Sequence, residues 1–279
     1  MKVSPRPFLK WAGGKSELVP RILAKLPAEI PLYVEPFVGG GATFFALARA
    51  GRIGRAILGD RNPELVATWA TVRDDVEGLI DACAAWPVDE GTYYHVRDTL
   101  DVGALPPAVR AARVVWLNRH CFNGLYRLNR KGRFNVPFGR YATPQRIDFD
   151  NLRRCSEALQ GVDVIEGDFG DVLERAEPGA AVYLDPPYVP LSQTSSFTSY
   201  DGGRFAEDDH ARLADVFANL PARGIQHAVL SNSWTPLTQE LYHRPGVEKT
   251  SVSVRRSINR NGAGRAPVQE LLAWLVPAA

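Results

Sequence analysis

Cysteine is nearly missing from this chain: three residues in 279, Cys83, Cys121 and Cys155, stand far apart. None has the close spacing of a metal-ligand set, and so few support no disulfide framework, so a reducing cytoplasm is expected. Histidine is as sparse, with five scattered residues and no cluster, and no metal is expected. No apolar run approaches membrane-spanning length, and the basic N-terminus has no apolar stretch of the kind an export signal requires. An excess of one charge is missing too, with 33 Lys and Arg against 31 Asp and Glu. Net charge therefore says nothing about nucleic acid; only its distribution can. Repeats, low-complexity tracts and long linkers are also lacking. What remains is 45% hydrophobic and 23% charged, ordinary for a globular protein. A chain of this length buries a sizeable core, as one large domain or a domain with an insert. The expectation is a soluble intracellular protein.

The stretch around which the rest is organised is Asp185-Pro186-Pro187-Tyr188, which follows the apolar run Ala181 to Leu184. That run reads as a buried strand of a parallel sheet, so Asp185 falls at a carboxyl end, where open α/β sheets place ligands. Two prolines fix φ and offer no N–H, leaving their carbonyls as set acceptors, and Tyr188 adds a flat stacking face. A carboxylate, a carbonyl and an aromatic plate suit a planar group bearing an NH2. A stiff turn after a strand would have the same residues, so the remaining chain must decide.

Near the N-terminus, Phe8 to Ser16 includes Gly14-Lys15-Ser16, which invites a P-loop reading. That motif needs glycine where Leu9 stands, so the pattern fails. A glycine turn between Trp11 and Lys15 remains, leading into an amphipathic helix expected from about Glu17 to Leu26, capped by Ser16, with Pro20 in its first turn. Leu32 to Glu35 then reads as a strand, Pro36 to Gly41 as a glycine loop and the segment from Ala42 as a helix. Gly39, Gly40 and Gly41 remove every Cβ, so a ligand and the helix can approach closely. A second strand, Ala56 to Gly59, ends on Asp60 about 20 residues beyond, where a carboxylate can accept from a ribose diol. Loop and acid together point to an adenosine-bearing cofactor, without separating a nicotinamide from S-adenosylmethionine.

After about residue 65 the character changes. Helical patterns run from Glu64 to Cys83 and from Pro107 to Arg119, followed by a segment whose tip, Asn129 to Arg133, reads as a hairpin with Lys131-Gly132 in the turn. From Arg110 to Arg154 there are eleven Lys and Arg and only two acids, Asp148 and Asp150, with aromatics and asparagines interleaved. That is the footprint of a surface that grips phosphates and offers side chains to bases. The α/β rhythm then resumes. Val162 to Ile165 reads as a strand running toward Asp168-Phe169, and a Ser/Thr-rich loop from Val189 to Gly203 as a cover for the site. Glu207 to Leu220 reads as a helix and Gln226 to Leu230 as a strand. Val247 to Val254 and Val268 to Val276 are final strands joined by a basic glycine loop, Arg255 to Arg265.

Taken in order, Leu9-Lys10-Trp11-Ala12-Gly13-Gly14-Lys15, Val34-Glu35-Pro36-Phe37-Val38-Gly39, Phe134 to Tyr141 and Asp185 to Tyr188 resemble the motifs of the DNA adenine methyltransferase (Dam) family, as does Val254-Arg255-Arg256-Ser257-Ile258. The resemblance covers nearly the whole chain. It implies an α/β fold with a Rossmann-like class I methyltransferase sheet, S-adenosylmethionine as donor, and transfer to the exocyclic amino nitrogen of adenine in double-stranded DNA. The catalytic domain would comprise residues 1–65 and 151–279, and residues 66–150 would form an inserted, mostly helical target-recognition domain. It favours a monomer. By the same resemblance Trp11, Lys15, Asp60 and Asp185 touch the cofactor, and Glu35, Phe37, Gly39, Gly40, Gly41, Asp168 and Phe169 line its pocket. Lys10 and Tyr141 match residues near the first guanine of a GATC target. Phe122 stands where the family usually has a wedging tyrosine, and Asn123, Leu125 and Arg127 match neighbouring base-contacting positions. Arg119, Asn129, Arg130, Lys131, Arg133 and Pro137 complete the expected DNA surface. Phe122 keeps an apolar wedge but loses the hydroxyl, and Tyr126 is larger than the family's usual residue; beside these two departures, GATC stays the target the resemblance favours.

These residues imply a mechanism. Adenine must leave the stack at a cost of about a few kcal/mol. Phe122 could fill the gap and Tyr188 receive the base. Asp185 and the Pro186 carbonyl would accept the amino hydrogens as positive charge grows on the nitrogen, with Pro187 and Tyr188 completing the catalytic set. Methyltransferases of protein glutamine also carry Pro-Pro-Tyr on this fold, usually after asparagine, but the basic aromatic insert argues against them. A DNA-binding protein without turnover conflicts with the intact Asp185, Asp60 and glycine loop. An NAD-dependent oxidoreductase lacks a proton-transfer group at the substrate end.

Overall fold

A computed structural model of the chain describes residues 4–11, 15, 17–143, 145–191, 205–254 and 267–276. The expected cap Ser16, most of the Ser/Thr-rich loop and the basic loop from Arg255 lie outside them.

Seven strands form one sheet: β1 (Ile30–Glu35), β2 (Ile53–Asp60), β3 (Val162–Glu166), β4 (Ala181–Leu184), β5 (His227–Ser233), β6 (Val247–Val254) and β7 (Val268–Leu275). Their order is β3-β2-β1-β4-β5-β7-β6. The first five are parallel, and β7 enters antiparallel to both β5 and β6. This is the Rossmann-like methyltransferase sheet that the motifs imply. Strand order reverses between β1 and β4, so the carboxyl ends of β1, β2 and β4 open on the crevice where such sheets bind ligands. Alternation along the strands separates two cores. Tyr33, Leu58 and Tyr183 join one apolar cluster, while Leu32, Val34, Ile57, Val182 and Leu184 join the other.

Flanking helices are α1 (Val19–Leu23), α2 (Ala42–Arg49), α3 (Pro63–Asp74), α4 (Val76–Ala84), α5 (Glu90–Asp98), α6 (Pro107–His120), α7 (Phe149–Ala158), α8 (Phe169–Glu174), α9 (Glu207–Asn219) and α10 (Pro236–Leu241). The stretch between β2 and β3 carries α3 to α7 and continues the first apolar cluster through Trp69, Tyr93, Trp116 and Phe134.

Three helical expectations need correction. The first helix is only Val19–Leu23, starting at Leu18 without a side-chain cap. Arg52 ends it by donating to the carbonyls of Leu23 at 3.0 Å and Leu26 at 2.7 Å. The pattern from Glu64 to Cys83 is two helices, because Asp75 leaves helical geometry and caps the second through the Gly78 N–H at 3.1 Å. A Cβ on Gly78 would lie 2.6 Å from that carboxylate. Finally, α7, α8 and α10 fall in stretches read without a helix, and α5 is a helix of the insert that no pattern located. Among the described residues no helix is long and apolar enough to cross a membrane.

Candidate active site

Pro186 and Pro187 deprive the loop after β4 of two N–H groups, so side chains of the neighbouring strands hold it. Ser231 of β5 donates to Asp185 Oδ1 at 2.9 Å. The Val189 N–H donates to Asn232 Oδ1 at 3.0 Å, and Tyr188 Oη donates to Glu270 Oε2 on β7 at 2.9 Å. Lys15 reaches in from the N-terminal segment. Its Nζ lies 3.0 Å from Asp185 Oδ1 and 4.4 Å from the centre of the Tyr188 ring. Burial pushes the Asp185 carboxyl above its usual range, and the Lys15 cation and the Ser231 hydroxyl oppose that shift. Burial likewise raises the Tyr188 phenol, keeping it a neutral donor.

The glycine loop leaves β1 at Glu35, a carboxylate only 2% exposed that accepts from Tyr33 Oη at 2.9 Å. Burial is the main cause that lifts Glu35 well above the usual carboxylate range. Gly39 and Gly41 adopt φ of 47° and 69°. Their missing Cβ atoms make room for tryptophans: a Cβ at Gly39 would lie 2.7 Å from Trp11 Cδ1, and one at Gly41 2.3 Å from Trp69 Cη2. Close packing of two indoles thus explains these glycines beside any ligand approach. Asp60, at the end of β2, accepts the Gly39 N–H at 3.2 Å and the Asn62 N–H at 3.0 Å. It ties the loop to the start of α3.

These groups surround one cleft of about 760 Å³. Trp11, Lys15, Glu35, Phe37, Gly39, Gly40, Gly41, Asp60, Asp185, Pro186, Pro187 and Tyr188 all line it. Asp168 and Phe169 are not in that lining. Asp168 caps α8 and pairs with Arg212 at 2.7 Å, which holds its carboxyl below the usual range. Phe169 is fully buried with its centroid 5.6 Å from Phe37 and 5.9 Å from Phe205, so it backs the wall rather than forming it. Several lining residues were not anticipated, among them Thr43, Arg61, Asn62, Tyr126, Tyr183 and Phe205. Tyr126 stacks on Trp11 at 4.7 Å, joining the cofactor side of the cleft to the basic segment. The dense run of aromatics around it was the available signal.

The basic segment is anchored to the N-terminal motif. Asn118 of α6 accepts from the Lys10 N–H at 2.8 Å and donates to the Lys10 and Gly124 carbonyls at 2.9 and 3.1 Å. Asn123 and Gly124 both take positive φ, and Phe122 before them is 44% exposed. A Cβ on Gly124 would lie 2.3 Å from Lys10 Cδ, so glycine is required there. Lys10, Asn123, Arg127, Arg130, Lys131, Arg133 and Pro137 are exposed, whereas Arg119, Leu125, Asn129 and Tyr141 are half-buried. Tyr141 donates to the Cys121 carbonyl at 2.8 Å, with Lys10 Nζ 5.9 Å from its ring. The hairpin is present: Leu128 bridges Phe134, and the turn closes from Gly132 N–H to Asn129 carbonyl at 2.9 Å. It is centred on Arg130-Lys131, with Gly132 at φ 71° supplying the left-handed step. Asn129 Oδ1 accepts the Lys131 and Arg133 N–H groups at 2.9 and 3.1 Å, so that oxygen builds the tip. Arg127 Nε donates to Asn135 Oδ1 at 2.7 Å, which orients the guanidinium across the hairpin.

Residues 11–258 match the sequence model of the D12 class N6 adenine-specific DNA methyltransferases. The chain is 40% identical over 285 residues to the Type II methyltransferase M.MjaIII of Methanocaldococcus jannaschii, covering 96% of this chain and 98% of that protein. It is 37% identical over 279 residues to the Type II methyltransferase M1.LlaDCHI of Lactococcus lactis subsp. cremoris, covering 97% and 95%. With the DNA adenine methylase of Escherichia coli K12 it shares 38% identity over 276 residues, covering 98% and 96%. The match runs through both the cleft and the basic hairpin, and the chain belongs to the D12 class of N6 adenine-specific DNA methyltransferases.

Proposed function

We propose that this enzyme takes its methyl group from S-adenosylmethionine and transfers it to the amino nitrogen of an adenine flipped out of duplex DNA. GATC is the target its motifs favour, and residues 66–150 are the inserted DNA-reading domain. The observation that carries the reading is the Asp185 carboxylate, held at a sheet switch point between a glycine loop and the Tyr188 ring.

The cleft fits the cofactor. Its volume of about 760 Å³ suits a nucleoside-sized ligand. Thr43 Oγ1 is buried in its lining with no partner among the described residues. Asp60 would hold the ribose hydroxyls, with Trp11, Phe37 and the glycine loop around the rest. When bound, the cofactor supplies an electrophilic methyl on a sulfonium.

The chain's residues then do the remaining work. Phe122, apolar and projecting, fills the gap left in the stack, and the basic hairpin grips phosphates around it. Tyr188 gives the extruded base a plate whose phenol is anchored on Glu270. The amino lone pair is delocalised into the ring and is a weak nucleophile. Asp185 and the Pro186 carbonyl accept the two N–H hydrogens as the nitrogen becomes tetrahedral, stabilising its growing positive charge. The cleft asks for no thiolate, and burial pushes the Cys83, Cys121 and Cys155 thiols up to about 12.

The test is to incubate the protein with DNA and methyl-labelled cofactor and to map modified adenines by sequence context. Asp185→Ala should abolish transfer while DNA binding survives, and Asp185→Asn should retain part of the activity. Label on protein glutamine instead of DNA, or near wild-type single-turnover rates for Asp185→Ala, would refute the reading.

A further inference from the structure

We propose that Ser231, backed by Tyr183, is a positioning residue that turns the Asp185 carboxylate so that Oδ2 meets the target amino group. The inference rests on the role just given to Asp185 and adds the residues that aim it.

A carboxylate at the end of a strand is commonly steadied by backbone N–H groups one and two residues on. Here both positions are proline, so those donors do not exist. The sheet supplies a substitute. β4 and β5 are parallel, with Tyr183 level with Val229 and Leu184 level with Leu230. One more step along each strand sets Ser231 beside Asp185. Because side chains alternate, Tyr183, Asp185 and Ser231 share one face of the sheet. Tyr183 and Ser231 are 1% and 0% exposed, so no solvent competes for their hydroxyls.

The direction of the hydrogen bonds follows from the chemistry of the ends. An ionised carboxylate only accepts, so the Ser231 hydrogen is committed to Asp185 Oδ1 at 2.9 Å. The 2.8 Å contact between Tyr183 Oη and Ser231 Oγ must then run from tyrosine to serine. Burial raises the Tyr183 phenol far above its usual value, so it remains a donor. Each bond in such a chain polarises the next. Lys15 Nζ approaches the same Oδ1 at 3.0 Å. Two donors therefore converge on Oδ1, and among the described residues none donates to Oδ2. With the lone pairs of Oδ1 occupied, Oδ2 is the acceptor that remains for an amino hydrogen.

The experiment is single-turnover methyl transfer into adenine-containing duplex DNA at saturating cofactor, measured across pH. Wild type is compared with Ser231→Ala, Ser231→Thr and Tyr183→Phe. Ser231→Ala should slow transfer by about 10- to 100-fold, the worth of a hydrogen bond to a charged group, with cofactor and DNA affinities within about twofold. Its acid limb should move up by about one pH unit, because the carboxylate has lost a donor. Lys15, Glu35, Tyr33, Tyr188 and Glu270, the other ionisable groups around Asp185, are unchanged in this variant. Ser231→Thr keeps the hydroxyl and should recover most of the rate, and Tyr183→Phe should show a smaller loss in the same direction.

A Ser231→Ala enzyme with the wild-type rate and acid limb overturns the proposal. So does a slow one whose acid limb has not moved, since that marks a packing defect alone. If Ser231→Ala does not fold, Tyr183→Phe decides: a wild-type rate and pH profile there overturn the chain. A wild-type enzyme that transfers no methyl group to adenine would refute the reading of Asp185 itself, which the variants alone do not.

Discussion

Replacing Lys15 by methionine should move the acid limb of the methyl-transfer rate upward by about two pH units. Lys15 is 7% exposed and its ammonium lies 3.0 Å from an Asp185 carboxylate whose side chain is 19% exposed. At an effective dielectric constant of about 20 such a pair attracts by about 5 kcal/mol. Residual solvent access and the second donor, Ser231, reduce the change on deletion to about 2–3 kcal/mol, which is about two pKa units. The sign follows from the chemistry. Asp185 must be ionised to accept both as an anion and as a stabiliser of positive charge. Burial already holds its pKa above the usual value, and removal of the cation raises it further. The rate lost on the acid side of the shifted limb should therefore return as pH rises. The assay is single-turnover transfer at saturating cofactor between about pH 5 and 10, with Lys15→Arg as a control that keeps the charge. An acid limb that stays in place, with the rate reduced equally at every pH, would assign Lys15 to cofactor binding alone and refute the electrostatic coupling.

Asp60→Ala should weaken S-adenosylmethionine by about 1.5–3 kcal/mol, the worth of a hydrogen bond to a charged group. Calorimetry showing unchanged affinity in a folded variant would remove Asp60 from the site. Arg127→Ala should cost about 1–3 kcal/mol on the cognate DNA and much less on single-base variants, since an arginine oriented by Asn135 can pair with guanine O6 and N7. Lys131→Ala, at the exposed hairpin tip, should weaken all sequences alike and make the logarithmic salt slope shallower by about one unit. Equal loss on every sequence for Arg127→Ala would make that residue another phosphate contact. His210 is buried, with its pKa lowered to about 4 by burial. A depressed histidine contributes stability that is full above about pH 6.5 and lost as pH falls toward 4. Urea denaturation should show wild type losing about 2 kcal/mol between pH 7 and pH 5 relative to His210→Phe, and parallel losses would refute it.

The parts of the site legible in the sequence are those in which a short segment carries both its shape and its chemistry. A run of apolar residues ending on Asp185 or on Asp60 is at once a buried strand and a carboxylate at its carboxyl end. The glycine loop declares its lack of Cβ atoms, although only the structure shows that Trp11 and Trp69 take up part of the space. The hairpin tip was legible from Asn129 and Gly132, since an asparagine oxygen can accept the N–H groups of a turn and glycine takes its left-handed step. Helices were harder. The short α1 is bounded by Arg52, which binds the Leu23 carbonyl from 29 residues further on, and no local pattern contains that information. Asp168-Phe169 lies outside the cleft lining, and a match of residue types cannot distinguish a cleft wall from the layer behind it. Arg212, 44 residues away, draws the carboxylate into an ion pair.

The catalytic loop shows most sharply where sequence reasoning stops. Two adjacent prolines imply that the backbone cannot hold Asp185 and Tyr188, so side chains from elsewhere must. Which side chains depends on strand order, and that is a property of the folded sheet. Ser231 lies 46 residues from Asp185, and Glu270 lies 82 from Tyr188. They meet only because β5 lies beside β4 and β7 beside β5, the latter in reverse direction. In that register Ser233 is level with Glu270, so the end of β5 and the start of β7 both face the crevice. An antiparallel β7 thus brings its amino end to the side where the parallel strands bring their carboxyl ends. A seventh strand running the other way would carry Glu270 to the far side of the sheet and leave Tyr188 without its anchor. The inverted strand therefore contributes to the chemistry as well as closing the sheet, and the same geometry explains why its glutamate gives no signal in the linear sequence.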